Sequence, residues 1–404
     1  MKNTPMKTTV KKVVTALGLS LLVGFASAQS ANTNTDSKGN NSNAINFSFP
    51  IQANAELSEE APAYSVKSDS YWFETTGAQL NKGLSISATQ SDVALLISTA
   101  SAENSVAQRE ATPLNMSAIQ LTMTNNPSKS VIEHRVSPEQ MLQAGMLGNS
   151  LALTTTSDMQ PGNLMLSTSQ PLSLDDQYIV TIKEKNSAFT LDMDMQGQSF
   201  TQKDTVLATA KLAKSGEMMK SAMQAELVAP DGTVSKVSHQ TNAAGETTFS
   251  MDGNGEAIPP AYGLYELRVQ TSSTQNGMPI NRNAKVAFAM TNDSGSLRRV
   301  VMRDRKGLRA IIRLNAETDS RFEARGTLYG TNSEGDMVPV METHTAQNLE
   351  RGRTRLVMKF DKNILAKAKV SAPFELKNIR LYDQKQMGMI DTYSEVVTFS
   401  GKNR

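Results

Sequence analysis

An alternation of apolar and polar residues at period two, broken by turn residues at roughly 8–12-residue intervals, runs through this chain and confines it to β architecture. Gly263-Leu264-Tyr265-Glu266-Leu267-Arg268-Val269 shows it in its simplest form. Tyr265, Leu267 and Val269 share one face, which needs a core, while Glu266 and Arg268 share the face that meets water. Residues 84–88, 119–123, 151–153, 164–166 and 178–182 carry the same signature ahead of it. Behind it come 321–328, the set Leu356, Met358 and Phe360, then 374–381 and 396–399. Residues 93–97 are apolar without interruption, which predicts a strand covered on both faces.

Turn chemistry supports this reading. Pro230-Asp231-Gly232 separates two alternating segments, 224–229 and 233–237. Proline presets the first turn dihedral, aspartate bonds the local backbone and glycine takes the positive-φ place. Tyr265, at the head of its strand, suits a sandwich corner. One helix signal stands out: Ser137-Pro138-Glu139-Gln140 combines an N-cap, a first-turn proline and a capping box, with Gly145 or Gly148 as the stop. The expected fold is mostly β: tandem β-sandwich (immunoglobulin-like) domains, with one short helix in the N-terminal domain.

A chain of 404 residues is about three domains long. Residues 1–28 read as a signal peptide: Lys2, Lys7, Lys11 and Lys12 precede an apolar stretch, and Ala26-Ser27-Ala28 precedes a cut at Gln29. The apolar stretch is too short to span a bilayer, and no other approaches the roughly 20 residues required, so no transmembrane segment is expected after cleavage. The absence of cysteine excludes a lipid anchor, disulfides, thiolate metal sites and thiol nucleophiles. Residues 29–48, rich in Ser, Asn, Thr and Gly, read as a disordered leader. An N-terminal β-rich domain is expected over 49–197, an immunoglobulin-like sandwich over 198–292, and a C-terminal sandwich over 293–404. The product is expected to be exported through the inner membrane, periplasmic or secreted.

Charge is unevenly spread. Loss of the four leader lysines turns a net +2 into −2. Residues 29–296 hold 16 basic and 26 acidic side chains, whereas 297–404 hold 21 basic and 13 acidic. The densest basic run is Arg298, Arg299, Arg303, Arg305, Lys306, Arg309 and Arg313. It reads either as a surface for an anionic ligand or as a contact with the acidic second domain, the latter being favoured. No aromatics interleave with it for base stacking, so nucleic acid is not expected as a partner.

Catalytic motifs are absent: there is no HExxH, GxSxG, GxxxxGK or GxGxxG. His134, His239 and His344 fall one to each domain, so a shared metal or catalytic cluster is not expected, nor is any cofactor. Asp252, Asn254 and Glu256 alternate in a glycine-flexed loop as calcium ligands do, although a solvated hairpin loop explains them more simply. Asp192 and Asp194, between Met193 and Met195, read as the wet side of one strand. Tyr71-Trp72-Phe73 holds the single tryptophan, either a sugar platform or, as favoured, a core anchor.

Several segments resemble a family of exported bacterial proteins known as a domain of unknown function. They are residues 227–232, 263–266, Arg282 through Ala287-Phe288-Ala289, 321–330, and the long stretch 372–383. Trp72 with residues 80–97 is similar to that family's N-terminal domain. The resemblance implies three domains ending in immunoglobulin-like modules, and no catalytic residues. The expectation is a non-enzymatic exported protein that binds an envelope or extracellular protein or glycan. The alternative is an envelope-polymer hydrolase using paired carboxylates.

Overall fold

The alternating segments pair into six sheets, and these form three sandwiches, each enclosing its own apolar core. This holds in a computed structural model that describes residues 44–57, 64–100, 110–146, 148–201, 203–251 and 258–401. The first sandwich sets a five-stranded sheet, ordered Ser70–Thr76, Gln177–Lys183, Ala94–Thr99, Ser150–Thr155 and Ile132–Val136, against a four-stranded one. Leu95 and Ile97 enter its main core, while Ala94 and Leu96 on the opposite face meet Val136, Met141 and Ala152. Strand Ala94–Thr99 is therefore buried on both faces, as its unbroken apolar run requires. Met141 comes from the helix Pro138–Gln143, whose capping box forms in both directions between Ser137 and Gln140. Gly145 follows at φ 77° and ends the helical segment.

A second helix in this unit, Gly77–Lys82, was not expected from the sequence. Thr76 and Gln79 form the same reciprocal box, but six residues give too little apolar periodicity to read. A third, Lys362–Ala368, starts at the Asp361 cap in the last unit.

In the second sandwich, the Tyr265 hydroxyl donates to the Pro259 carbonyl at 2.8 Å, which is the corner bond that its position suggested. At the Pro230-Asp231-Gly232 turn, Gly232 sits at φ 86° and Asp231 accepts from the Thr233 N–H. The strand Phe189–Met195 belongs here, pairing with Leu207–Lys214 and contributing Phe189, Leu191, Met193 and Met195 to the second core. Sheet pairing thus starts this unit at residue 189, nine residues ahead of the boundary read at 198.

The chain's path before the first sandwich is the main departure from a linear series. Strand Ile45–Pro50 pairs antiparallel with Met337–Leu349 at the edge of the third sandwich. Strand Tyr64–Ser68 then pairs with Phe189–Met195 at the edge of the second. Only after that does the chain build the first. Residues 45–48, assigned to the leader by their polar neighbours, are thus four of the six residues of an edge strand. Their partner lies about three hundred residues away, which local composition cannot report.

The third sandwich pairs a sheet ordered Ile45–Pro50, Met337–Leu349, Ser320–Thr331, Ser371–Asp383 and Gly388–Tyr393 with a three-stranded sheet. That small sheet, ordered Gly295–Arg303, Arg309–Ala316 and Gly352–Lys359, carries the basic run.

Candidate functional site

Strand alternation sorts the small sheet into two faces. Val300, Met302, Ala310, Ile312, Leu314, Leu356 and Met358 turn into the core. The intervening residues face outward, and register aligns them in rows across the three strands. Arg299 lies opposite Arg313, which lies opposite Arg355. Two residues along, Val301, Ile311 and Val357 form an apolar row. Beyond it Arg303, Arg309 and Lys359 form a second cationic row, and Arg353 stands beside Asn315. Seven cations therefore share one outer face. Like charges directly opposite one another destabilise a sheet, so this arrangement costs the fold energy. No ion pair with any described residue relieves Arg299, Arg303, Arg313, Arg353 or Arg355. Arg309 places its Nε out of solvent with no hydrogen-bond partner among the described residues.

Arg298 is exposed at a bulge beside Arg299, and Arg305 and Lys306 are exposed in the following hairpin. None of the three forms an ion pair with a described residue. The favoured contact between this run and the acidic second domain is therefore not what joins the units. The outward pleat turns the arginines away from the sandwich. The junction is built instead at Gln386 and Met389: Gln386 accepts from the Asn292 N–H at 2.6 Å and the Met389 N–H donates to Ser199 Oγ at 3.0 Å, while Asp383, within the third unit, accepts from the Gln386 amide and from Ser294 and Ser320. Burial pushes the Asp383 carboxyl up, but these hydrogen bonds prevail and hold it below the usual carboxylate range. Gly388 packs so closely that an added Cβ would lie 2.3 Å from Thr291 of the second unit.

The joint between the first and second units was not legible in advance. Arg282, on strand Met278–Thr291, reaches Glu184 of the first unit at 2.6 Å, and both side chains are fully buried. The guanidinium also donates to the Phe189 and Asn281 carbonyls and to Ser187 Oγ. Glu184 accepts from the Thr89 N–H and hydroxyl. A signal existed: Arg282 falls on the inward side of its strand, between buried Ile280 and Ala284.

Other sequence candidates separate cleanly. His134, His239 and His344 sit in three different sandwiches, and no group of three metal-ligating side chains occurs among the described residues. Asp252, Asn254 and Glu256 lie outside the described residues. Asp194 is exposed and Asp192 half-buried, while Met193 and Met195 are core, as their alternation implies. Tyr71, not Trp72, anchors the first core, its hydroxyl donating to the Ser87 carbonyl at 2.7 Å. Trp72 faces a cleft of about 540 Å³ between the first two units.

A second cavity, of about 660 Å³, gathers two carboxylates, Glu110 and Glu139. The Ser137 hydroxyl holds the Glu139 carboxyl below its ordinary value, the reverse of what a general acid needs. No described helix is long and apolar enough to cross a membrane.

Comparison with known proteins gives a family and a fold. A model of the N-terminal domain of a domain of unknown function, DUF4785, matches residues 37–184, and a model of its C-terminal domain matches residues 294–400. The crystal structure of a DUF4785 family protein from Legionella pneumophila is similar at TM-score 0.61 and 18% identity, with 93% of this chain and 99% of that one covered. An activated alpha-2-macroglobulin from Escherichia coli aligns over 76% of this chain and 22% of its own at TM-score 0.22 and 10% identity. No curated protein matches the sequence.

Proposed function

The chain belongs to the DUF4785 family, and from that premise we propose that it is an exported, non-catalytic protein that binds anionic envelope or extracellular material. The observation that carries this reading is the outer face of the small sheet in the third sandwich. Two rows of cations there oppose one another across strands, at a cost to stability that a bound polyanion would offset. Six of the seven are arginines, whose planar forks pair with carboxylate, phosphate or sulfate through two hydrogen bonds at once. Export follows from the basic and apolar leader at residues 2–25 and its small-residue cut site.

The mature chain is expected to be retained on immobilised polygalacturonate and not on uncharged dextran, with retention falling as salt rises. Arg299→Glu with Arg313→Glu should abolish retention while circular dichroism stays unchanged. Equal retention of that variant would overturn the reading. Export is checked separately: an osmotic-shock or supernatant fraction should hold protein starting near Gln29.

The hydrolase reading has one foothold, the cavity that holds Glu110 and Glu139. Turnover of labelled peptidoglycan that Glu110→Gln or Glu139→Gln abolishes would favour it over the binding reading.

A further inference from the structure

The cleft between the first and second sandwiches has a composition unlike the rest of the surface. One residue in five of the chain is charged, yet no residue lining the cleft is. Its first wall comes from the strands Ser70–Thr76 and Leu84–Ala88, its second from Ala222–Val228, Tyr265–Gln275 and Met278–Thr291. One indole and several carboxamides dominate what those walls present, with serine and threonine hydroxyls between them.

Trp72 is half-buried and lies outside the first core, which takes Tyr71 on the opposite face of the same strand. No described residue accepts from its indole N–H, which leaves that donor open to a ligand. Two amides staple the floor: Asn283 Nδ2 donates to the Trp72 carbonyl at 2.8 Å, and Asn281 Nδ2 to Ser87 Oγ at 3.3 Å. Each spends a donor on the joint, and neither Oδ1 accepts from a described residue. On the far wall Gln270 Nε2 donates to Gln224 Oε1 at 3.3 Å, which leaves the Gln224 amide as donor and the Gln270 carbonyl as acceptor. The cleft thus offers an indole face and N–H beside amide donors and acceptors of both kinds.

A charged ligand would lose hydration here without gaining a counter-charge, so ions and polyelectrolytes are disfavoured. A purely apolar ligand would leave the amides unpaired. Sugar hydroxyls both donate and accept, and the C–H face of a pyranose packs on an indole. The geometry points to this cleft as a binding site for a short stretch of uncharged glycan, with Trp72 as platform and Gln224, Gln270 and Asn281 as hydrogen-bonding partners. This site is independent of the cationic face. The volume falls within the range of ordinary small-ligand sites. The held joint matters as well, since the buried Arg282–Glu184 pair fixes the two walls against each other and pre-organises the cleft.

Trp72 is the only tryptophan, so its fluorescence reports the cleft directly. The full mature chain is titrated with cellohexaose, maltohexaose and the N-acetylglucosamine hexamer. Oligogalacturonate and an uncharged Gly/Ala-rich peptide serve as competitors of other chemistry. The expected result is a saturable change in emission with at least one neutral oligosaccharide, unaffected by salt. Gln270→Ala, an exposed position tolerant of substitution, should weaken it about five- to tenfold. Trp72→Phe, followed by calorimetry, should weaken it further while thermal unfolding stays cooperative. The inference is overturned if no neutral oligosaccharide changes the emission, if both variants bind as wild type, or if only the oligogalacturonate or the peptide binds. Arg299→Glu with Arg313→Glu, which tests the cationic face, should leave this titration unchanged.

Discussion

Arg282 shows how much one side chain can decide. Its guanidinium lies between two cores with Glu184 as counter-ion and carbonyl and hydroxyl oxygens around it. A buried pair of this kind adds little net stability, but removing one partner strands the other charge. Arg282→Met is therefore expected to destabilise the chain by about 3–5 kcal/mol in denaturant titration, with Glu184→Gln recovering much of the loss when combined. Simple additivity of the two variants would show that the groups are not coupled. Glu323 and His344 form a second polar node, on the outer face of the large sheet in the third unit. Burial opposes ionisation of Glu323, yet hydrogen bonds from His344, Arg325 and Gln384 bring its pKa down to about 2. Burial likewise opposes protonation of His344, and its bonds to Glu323 and Glu342 prevail to raise it. The Glu323 contribution is present above its unfolded value of 4.5 and disappears as pH falls toward about 2. That of His344 is complete below 6.5 and disappears as pH rises through the raised value. Melting temperature against pH should bend downward on both sides, and Glu323→Gln should flatten the acid limb; an unchanged acid limb would refute the assignment.

Among elements, the strand Arg309–Ala316 carries the clearest conflict between folding and binding. Arg313 sits at its middle with Arg299 on one side and Arg355 on the other. Each directly opposed like-charge pair costs up to about 1 kcal/mol, and threonine suits an exposed strand position better. Arg313→Thr should therefore raise the melting temperature while weakening retention on polygalacturonate, since binding sites are often held at a cost to stability. If Arg313→Thr lowers stability instead, the guanidinium has a packing role and the binding argument loses its basis. The strand was legible because Ala310, Ile312 and Leu314 alternate with polar positions. Its neighbours were not, because alternation gives the face of a residue but not the strand beside it. Sequence proximity therefore marks the run from Arg298 to Arg313 but not Arg353, Arg355 and Lys359, which complete the face from forty residues further on. The same blindness placed Trp72 in a core. Three aromatics in succession cannot all point one way in a strand, and Tyr71 took the inward place. Helix Gly77–Lys82 is hidden for another reason: it has the capping box but lacks the first-turn proline that marks Pro138–Gln143.

For the whole molecule, three sandwiches were legible from length and turn spacing, but not how they are held together. Charge asymmetry suggested that the basic run docks against the acidic units. The joints are instead local and mostly buried, at Arg282–Glu184 and at Gln386 and Met389, with a strap that crosses from the third unit to the second before the first begins. Arg298→Glu with Arg303→Glu should accordingly leave the radius of gyration unchanged in small-angle scattering, at low or high salt. The strap is the informative place to cut. Strand Ile45–Pro50 holds its edge through one row of pairing, with Phe47 stacked on His344 at 4.7 Å between ring centroids and a 29° tilt. A six-residue edge strand paired on one side is weakly held once its ends are free, so continuity with Tyr64–Ser68 in the second unit keeps it at a high local concentration. A protease site placed at the exposed turn Ala53-Asn54 lets the strap be severed after folding. Cleavage should free the strand, uncover the edge Met337–Leu349, lower the melting temperature of the third sandwich and enlarge the radius of gyration. The newly opened edge should also make cleaved protein more prone to associate, as unpaired edges are. If cleaved and intact chains melt and scatter alike, the strap only decorates an edge, and the joint at Gln386 and Met389 alone sets how the third sandwich is held.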